Sequence, residues 1–336
     1  MKLDGFFSVV DSHTAGMPVR VVIGGGPKIP GETIVKKRDY FRENMDHARM
    51  MLNQEPRGHR DMFVAYLVPP CTDEADVGVL FMTAGGYANM CGHATIGVVT
   101  VLVEMGMVTV KEPITEVNLD TPVGLIRTRA NVTDDSVNSV TFQNVPSFFV
   151  EERSIRVPEL GDIEVDVDVA FGGNFYLFAS AEQIGVKVEQ KNLEELLNKG
   201  RGVVSAAETQ VPKPHHPTNP SIRARFGAVM IYGSGIDPSA DQKNILVYGR
   251  GFDRSPCGTG TCGRMASLYA KGKLKLNEEF INESIIGSLF KGRLIQETKV
   301  GEYTAVIPEI TGSAYITGIN NIIATANDPY KHGFDI

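Results

Sequence analysis

The stretches "NMCGHATIG" (residues 89–97) and "SPCGTGTCG" (255–263) are two versions of one unit. Cys, Gly, Thr and Gly recur at matched offsets, 91, 92, 95 and 97 against 257, 258, 261 and 263, and a further Gly follows at 106 and at 272. A strand-like run precedes each copy, "VGVLF" and "NILVY". After the first, "ATIGVVTVLVEMG" is apolar nearly all round, which at this length predicts a helix buried on every side and closed by Gly106. Asn89 and Ser255 are helix N-cap types, and Pro256 suits a first helical position. The unit is therefore strand, glycine-rich loop, thiol and helix, used twice. That predicts an internal duplication.

The thiols give the duplication its chemistry. A cysteine at the start of a helix faces N–H groups without intrahelical partners and the positive end of the dipole. Its pKa falls, so part of it is thiolate near neutrality. Gly92 and Gly258 let a substrate approach the backbone, and a carboxylate could rest on the N–H groups of Gly92–His93 and Gly258–Thr259. If the halves face each other, two thiols flank one cleft. One then takes a proton from a carbon while the other gives one to the opposite face, as a cofactor-free racemase or epimerase requires.

Other readings of these residues are weaker. A buried apolar role for Cys91 does not explain its repetition at Cys257. Cys262 has Ile96 at its offset and reads as helix packing; Cys71, in a Pro-flanked turn, reads as structural. The Cys257–Cys262 spacing is wrong for a zinc knuckle, so no metal is expected. A Cys–His hydrolase pair of Cys91 and His93 is disfavoured by their separation of two residues at a helix start. Asp253 is an acceptor for a substrate ammonium or an Asx-turn cap. His215–His216 reads as solvated.

The rest of the chain sets the frame. Its 336 residues, 42% hydrophobic and 22% charged, predict one large folded domain or two ordinary ones. A net charge of −7 with no Lys/Arg block gives no footprint for nucleic acid or an anionic membrane surface. Four cysteines, no basic-then-apolar start and no membrane-length apolar run predict free thiols in a reducing cytoplasm. "FFSVV" and "MPVRVVIGG" read as strands around a loop, "DSHTAG". Val35 to Leu52 reads as one helix with Phe41, Met45, Ala48 and Leu52 on its buried face. "GVVSAAETQVPKPHHPTNPS" reads as a polar surface excursion. Strands outnumber helices without regular alternation, which predicts α+β.

"NMCGHATIG" and "DRSPCGTGT" closely resemble the active-site motifs of the proline racemase family, and "DSHTAG", "EPRGHRDM", "FGGNFY" and "ITGSAYITG" extend the resemblance over nearly the whole chain. The family includes proline racemases, 4-hydroxyproline 2-epimerases and trans-3-hydroxyproline dehydratases. The resemblance implies two pseudo-symmetric lobes, each a curved sheet around a central helix, similar to diaminopimelate epimerase. The lobes would be residues 1–127, completed by about 310–336, and residues 128–309. It also implies a homodimer, a small imino-acid substrate and no cofactor. On this resemblance Cys91 and Cys257 are the catalytic bases. Gly92, His93, Gly258 and Thr259 contact substrate, and Asp253 meets the ring nitrogen. The dehydratases typically carry threonine where Cys257 stands, so both thiols together favour inversion over elimination; a duplicated, non-catalytic binding module is the remaining alternative. Three departures concern the surroundings of the bases: Met17 where Glu is frequent, Cys262-Gly263 where Ser-Ala is frequent, and a "VYGRGF" one residue short. Phe63 and Tyr248 could present apolar walls, favouring proline over its hydroxylated relatives.

Overall fold

The computed structural model describes residues 3–334. The chain forms two compact units, Met1–Phe142 with Gly312–Ile336, and Gln143–Thr311.

In the first unit β1 (Leu3–Thr14) pairs antiparallel with β2 (Met17–Gly24) and, on its other side, with the C-terminal β20 (Ala314–Thr325). Next to β2 lies β3 (Phe63–Val68), parallel; then β4 (Val77–Thr83), antiparallel; then β6 (Ile114–Thr121), parallel; then β7 (Gly124–Thr133), antiparallel. The short β5 (Gly86–Ala88) folds back on β4 and leads into α3 (Gly92–Glu104); β8 (Ser136–Gln143) ends this part of the chain.

In the second unit β9 (Ser147–Val157), β10 (Ile163–Phe171), β11 (Phe175–Ser180), β14 (Ala228–Gly233), β15 (Gln242–Tyr248), β17 (Glu279–Ser284) and β18 (Leu289–Val300) are neighbours in that order. Their senses are antiparallel, antiparallel, parallel, antiparallel, parallel and antiparallel, the same series as from β20 to β7. β16 (Gly251–Asp253) folds back on β15 and leads into α5 (Gly258–Ala270), as β5 leads into α3. β19 (Tyr303–Gly312) pairs with both β18 and β9, so the ring closes. A two-stranded ribbon, β12 (His215–His216) with β13 (Asn219–Arg223), stands apart from it.

The helices after the thiols are the axes of the units. Every residue of α3 from Gly92 to Val103 is buried, and α3 packs on β1, β2, β3, β7 and β20. Ile96, Val98, Val99 and Val101 have no exposed surface, and each such side chain contributes about 1.5–3 kcal/mol. The helix lies so close to its sheet that a Cβ on Gly97 would meet Val19 Cγ1 at 2.5 Å. Gly263 repeats that contact in α5, where a Cβ would meet Phe178 Cζ at 3.0 Å. Both helices end in one motif: Gly106 (φ 63°) donates to the Val103 carbonyl and Met107 to Leu102, while Gly272 (φ 68°) donates to Tyr269 and Lys273 to Leu268. The matched glycines of the sequence therefore hold matched geometric duties.

Three expectations need correction. "DSHTAG" is mostly strand, because β1 runs through Thr14 and only Ala15 and Gly16 turn, both with positive φ. The helix expected over Val35–Leu52 is two, α1 (Ile34–Asn44) and α2 (Asp46–Asn53), broken at Met45 (φ −134°). Its apolar face survives the break, since Phe41, Met45, Ala48 and Leu52 are all buried. The first half of the expected surface excursion is the end of α4 (Leu193–Gln210).

Candidate active site

Cys91 and Cys257 are themselves the N-caps of α3 and α5. Asn89 and Ser255, expected at that place, lie two residues outside, and Pro256 precedes the cap instead of following it. Asn89 accepts a hydrogen bond from Arg38 Nη1 at 2.8 Å, tying the loop before Cys91 to α1. Gly92 and Gly258 open the helices, so the first-turn N–H groups that lack intrahelical acceptors lie beside each thiol.

Cys91 is 6% exposed and has extended backbone (φ −142°). Its Sγ lies 3.4 Å from Nδ1 of His93, closer than the expected sequence geometry allowed. The reason is the cap: a non-helical backbone at Cys91 turns its side chain along the helix start, where that of the second helical residue also projects. His93 is fully enclosed, and burial lowers its pKa to about 3, opposed by a hydrogen bond to the Pro18 carbonyl. The imidazole is thus neutral. With one N–H given to Pro18, its other nitrogen is an acceptor; Nδ1 lies 3.4 Å and Nε2 3.9 Å from the sulfur. Phe63 packs edge-on against the ring at 4.6 Å, and Thr14 Oγ1 donates to the His93 carbonyl at 2.8 Å.

Cys257 is 4% exposed but differs in conformation, with φ 62° at a residue that is not glycine. Its Sγ accepts from the Gly260 N–H at 3.4 Å, capping its own helix. Asp253, at the end of β16, accepts from the Ser255 N–H at 2.8 Å and its hydroxyl at 2.7 Å. The Ser255 hydroxyl oxygen in turn accepts from the Cys257 N–H at 3.1 Å. Burial pushes the Asp253 carboxyl up to about 6, against hydrogen bonds from Ser255 and from the Cys257 side chain. The Asx-turn and the thiol contact are therefore both present. Thr259 is buried, and its Oγ1 lies 2.8 Å from the Tyr176 hydroxyl and 4.0 Å from Cys257 Sγ.

The first unit thus gathers Cys91, Gly92 and His93, and the second Asp253, Cys257, Gly258 and Thr259. Sequence reasoning passed over Tyr176, whose only signal was its place at the end of "FGGNFY". Tyr248 packs against the apolar cluster that holds Cys257, and its hydroxyl donates to the Phe252 carbonyl at 3.2 Å. Met17 is fully buried at the start of β2. Cys262 is fully buried within α5 and burial pushes its thiol up to about 12, while Cys71 is exposed. His216 is half-buried against Phe148 and Phe171, where burial lowers its pKa, so only His215 is exposed as expected. Among the described residues no cluster of His, Cys, Asp or Glu could hold a metal ion, and no helix is long and apolar enough to cross a membrane.

Comparison with known proteins gives the family. The proline racemase family model matches residues 9–335. A proline racemase of Acetoanaerobium sticklandii is 44% identical over 338 residues, 100% of this chain and 100% of the relative. A 4-hydroxyproline 2-epimerase of Streptosporangium roseum is 44% identical over 335 residues, 99% of each chain. The crystal structure of a hydroxyproline epimerase from Agrobacterium vitis, with bound trans-4-hydroxy-L-proline, superposes with a TM-score of 0.93 at 33% identity, covering 100% of this chain and 96% of that one.

Proposed function

The chain belongs to the proline racemase family, and on that footing we propose that it inverts the α-carbon of proline with Cys91 and Cys257 as its two acid–base groups. One thiolate removes the α-proton from one face, and the other thiol gives its proton to the opposite face. The observation that carries this reading is that each cysteine stands at the N-cap of a buried helix and has its own hydrogen-bond partner, His93 for Cys91 and the Asp253 carboxylate for Cys257. The N–H groups at Gly92–His93 and Gly258–Thr259 offer donors to the substrate carboxylate, and Asp253 an acceptor to the ring nitrogen. These groups supply each proton transfer, so the reading uses no cofactor. The matched strand orders support two pseudo-symmetric lobes of the diaminopimelate-epimerase kind; a homodimer and a cytoplasmic location belong to the same reading.

Proline is placed first because an aromatic side chain stands near each thiol: Phe63 on the His93 ring, and Tyr248 beside the cluster of Cys257. Inversion of 4-hydroxyproline is the second reading, favoured by the epimerase relative and by the ligand in the Agrobacterium structure. Elimination from trans-3-hydroxyproline ranks below both, since Cys257 is present.

The test is incubation with L-proline, trans-4-hydroxy-L-proline and trans-3-hydroxy-L-proline without additives, followed by polarimetry and a carbonyl assay. Inversion of proline is expected. A carbonyl product, or no change in any sample, would refute the reading.

A further inference from the structure

The two copies differ at three offsets, 93/259, 94/260 and 96/262, and the first of these sets a polar side chain beside each thiol. His93 in the first is replaced by Thr259 in the second, so an acceptor beside Cys91 becomes a hydroxyl beside Cys257. Cys257 therefore has a different electrostatic problem. The groups facing its sulfur include the Asp253 carboxylate, with Arg254 acting on that carboxylate, and a like charge there opposes a thiolate. The surrounding β10, β11, β14 and β15 contribute Ala170, Tyr176, Phe178, Met230 and Leu246, a mostly apolar wall in which Tyr176 is the buried phenol, with Tyr232 and Tyr248 packed against it. That phenol sits 2.8 Å from Thr259 Oγ1.

Hydrogen-bond directions follow from the partners. Asn174 Nδ2, which can only donate, lies 3.5 Å from the Tyr176 oxygen. With that oxygen accepting from Asn174, the phenolic proton is available to Thr259 Oγ1, and the Thr259 proton to Cys257 Sγ at 4.0 Å, the outer reach for sulfur. We propose that Tyr176 is a positioning residue for this protein: through Thr259 it aims a hydrogen-bond donor at Cys257 and so stabilises that thiolate beside Asp253. With the Gly260 N–H, the sulfur then receives two donors, whereas Cys91 faces an acceptor.

Tyr176→Phe is the direct test, because phenylalanine keeps the ring's packing and removes only the hydroxyl. Two measurements are made on the full chain: kcat and KM for L-proline, and the relative rates of iodoacetamide labelling at Cys257 and Cys91, read by peptide mass spectrometry. The kinetic arm rests on the racemase reading; the labelling arm does not. Loss of one donor to a charged group should lower kcat about tenfold with KM changed less than about twofold, and should lower the Cys257-to-Cys91 labelling ratio severalfold. An unchanged labelling ratio overturns the proposal whatever happens to turnover. If the wild-type chain inverts neither imino acid, the racemase reading fails while labelling still decides this one. If Tyr176→Phe does not fold, Thr259→Val takes its place, and again an unchanged ratio overturns the proposal.

Discussion

Cys91 Sγ and His93 Nδ1 lie 3.4 Å apart across the first turn of α3, in a setting that keeps the imidazole neutral. A neutral imidazole with one N–H given to Pro18 can accept a hydrogen bond from the thiol, while its lowered pKa leaves the proton on sulfur. Cys257 has the Asp253 carboxylate for the same purpose. If each thiol serves one face of the α-carbon, Cys91→Ser and Cys257→Ser should each abolish inversion from both enantiomers, because a hydroxyl is far less acidic than a thiol. Either variant retaining more than about a few per cent of wild-type turnover would break the two-base assignment. Cys262→Ser and Cys71→Ser should remain active in the same polarimetric assay.

Asp253 gives a pH-dependent stability with a definite sign. Its carboxyl is pushed up to about 6 in the folded chain from an ordinary 3.8. The folded state therefore holds this proton more tightly than the unfolded state. The contribution is fully present below pH 3.8 and is lost as pH rises through about 6, so at neutrality the buried carboxylate costs stability. Asp253→Asn, which can still accept from Ser255, should raise the melting temperature above pH 6 by the equivalent of about 1–3 kcal/mol and should leave it unchanged near pH 3.8. It should also abolish activity. A variant less stable than wild type at pH 8 would show that the carboxylate's hydrogen bonds outweigh its burial.

The axis of the first unit can be tested for packing alone. Gly97→Ala places a methyl 2.5 Å from Val19 Cγ1 and 3.3 Å from the hydroxyls of Ser12 and Thr14. The backbone of α3 must shift, at a cost of about 1–3 kcal/mol. Urea denaturation should show a lower midpoint with an unchanged slope. Equal stability would mean that the helix does not need its close approach to β1 and β2.

These glycines also explain what the sequence disclosed. Gly97 with Gly263, and Gly106 with Gly272, recur because close helix–sheet contact and left-handed caps have few other solutions. The duplicated unit was therefore visible without coordinates. Helix α4 was not, because its second half, from Gly202, runs directly into the polar, Pro-rich "VPKPHHPTNPS" and reads with it as one excursion. Within it Gly200 is a contact residue, where a Cβ would meet Val247 at 3.0 Å. The Cys91–His93 contact was hidden for another reason. A separation of two residues rules out contact between helical positions but not between an extended cap and the first turn. Tyr176 lies 83 residues from Thr259, and nothing local announces that pairing.

Substrate preference depends on what surrounds the thiols. A ring hydroxyl set against Phe63 or Tyr248 would leave water without a replacement partner, which costs about 1–3 kcal/mol. Proline should therefore show the higher kcat/KM, by about tenfold or more over trans-4-hydroxy-L-proline. Equal or better values for the hydroxylated substrate would exchange the two readings of the function.

The last prediction concerns the geometry of the reaction. Removal of the α-proton flattens a tetrahedral carbon, and the protein should bind that flattened state more tightly than either enantiomer. Pyrrole-2-carboxylate has a planar five-membered ring bearing the carboxylate. Its carboxylate would take donors from the helix starts at Gly92 and Gly258, and a thiol would meet each face. Transition-state analogues can exceed substrate affinity by about a hundredfold or more, but this compound lacks the ring ammonium proposed to meet Asp253, so its advantage should be smaller. It should still inhibit with a constant below the KM for proline. It should also protect Cys91 and Cys257 together from iodoacetamide, while exposed Cys71 continues to react. Protection of one thiol alone, or binding weaker than that of proline, would contradict two bases acting on a single α-carbon.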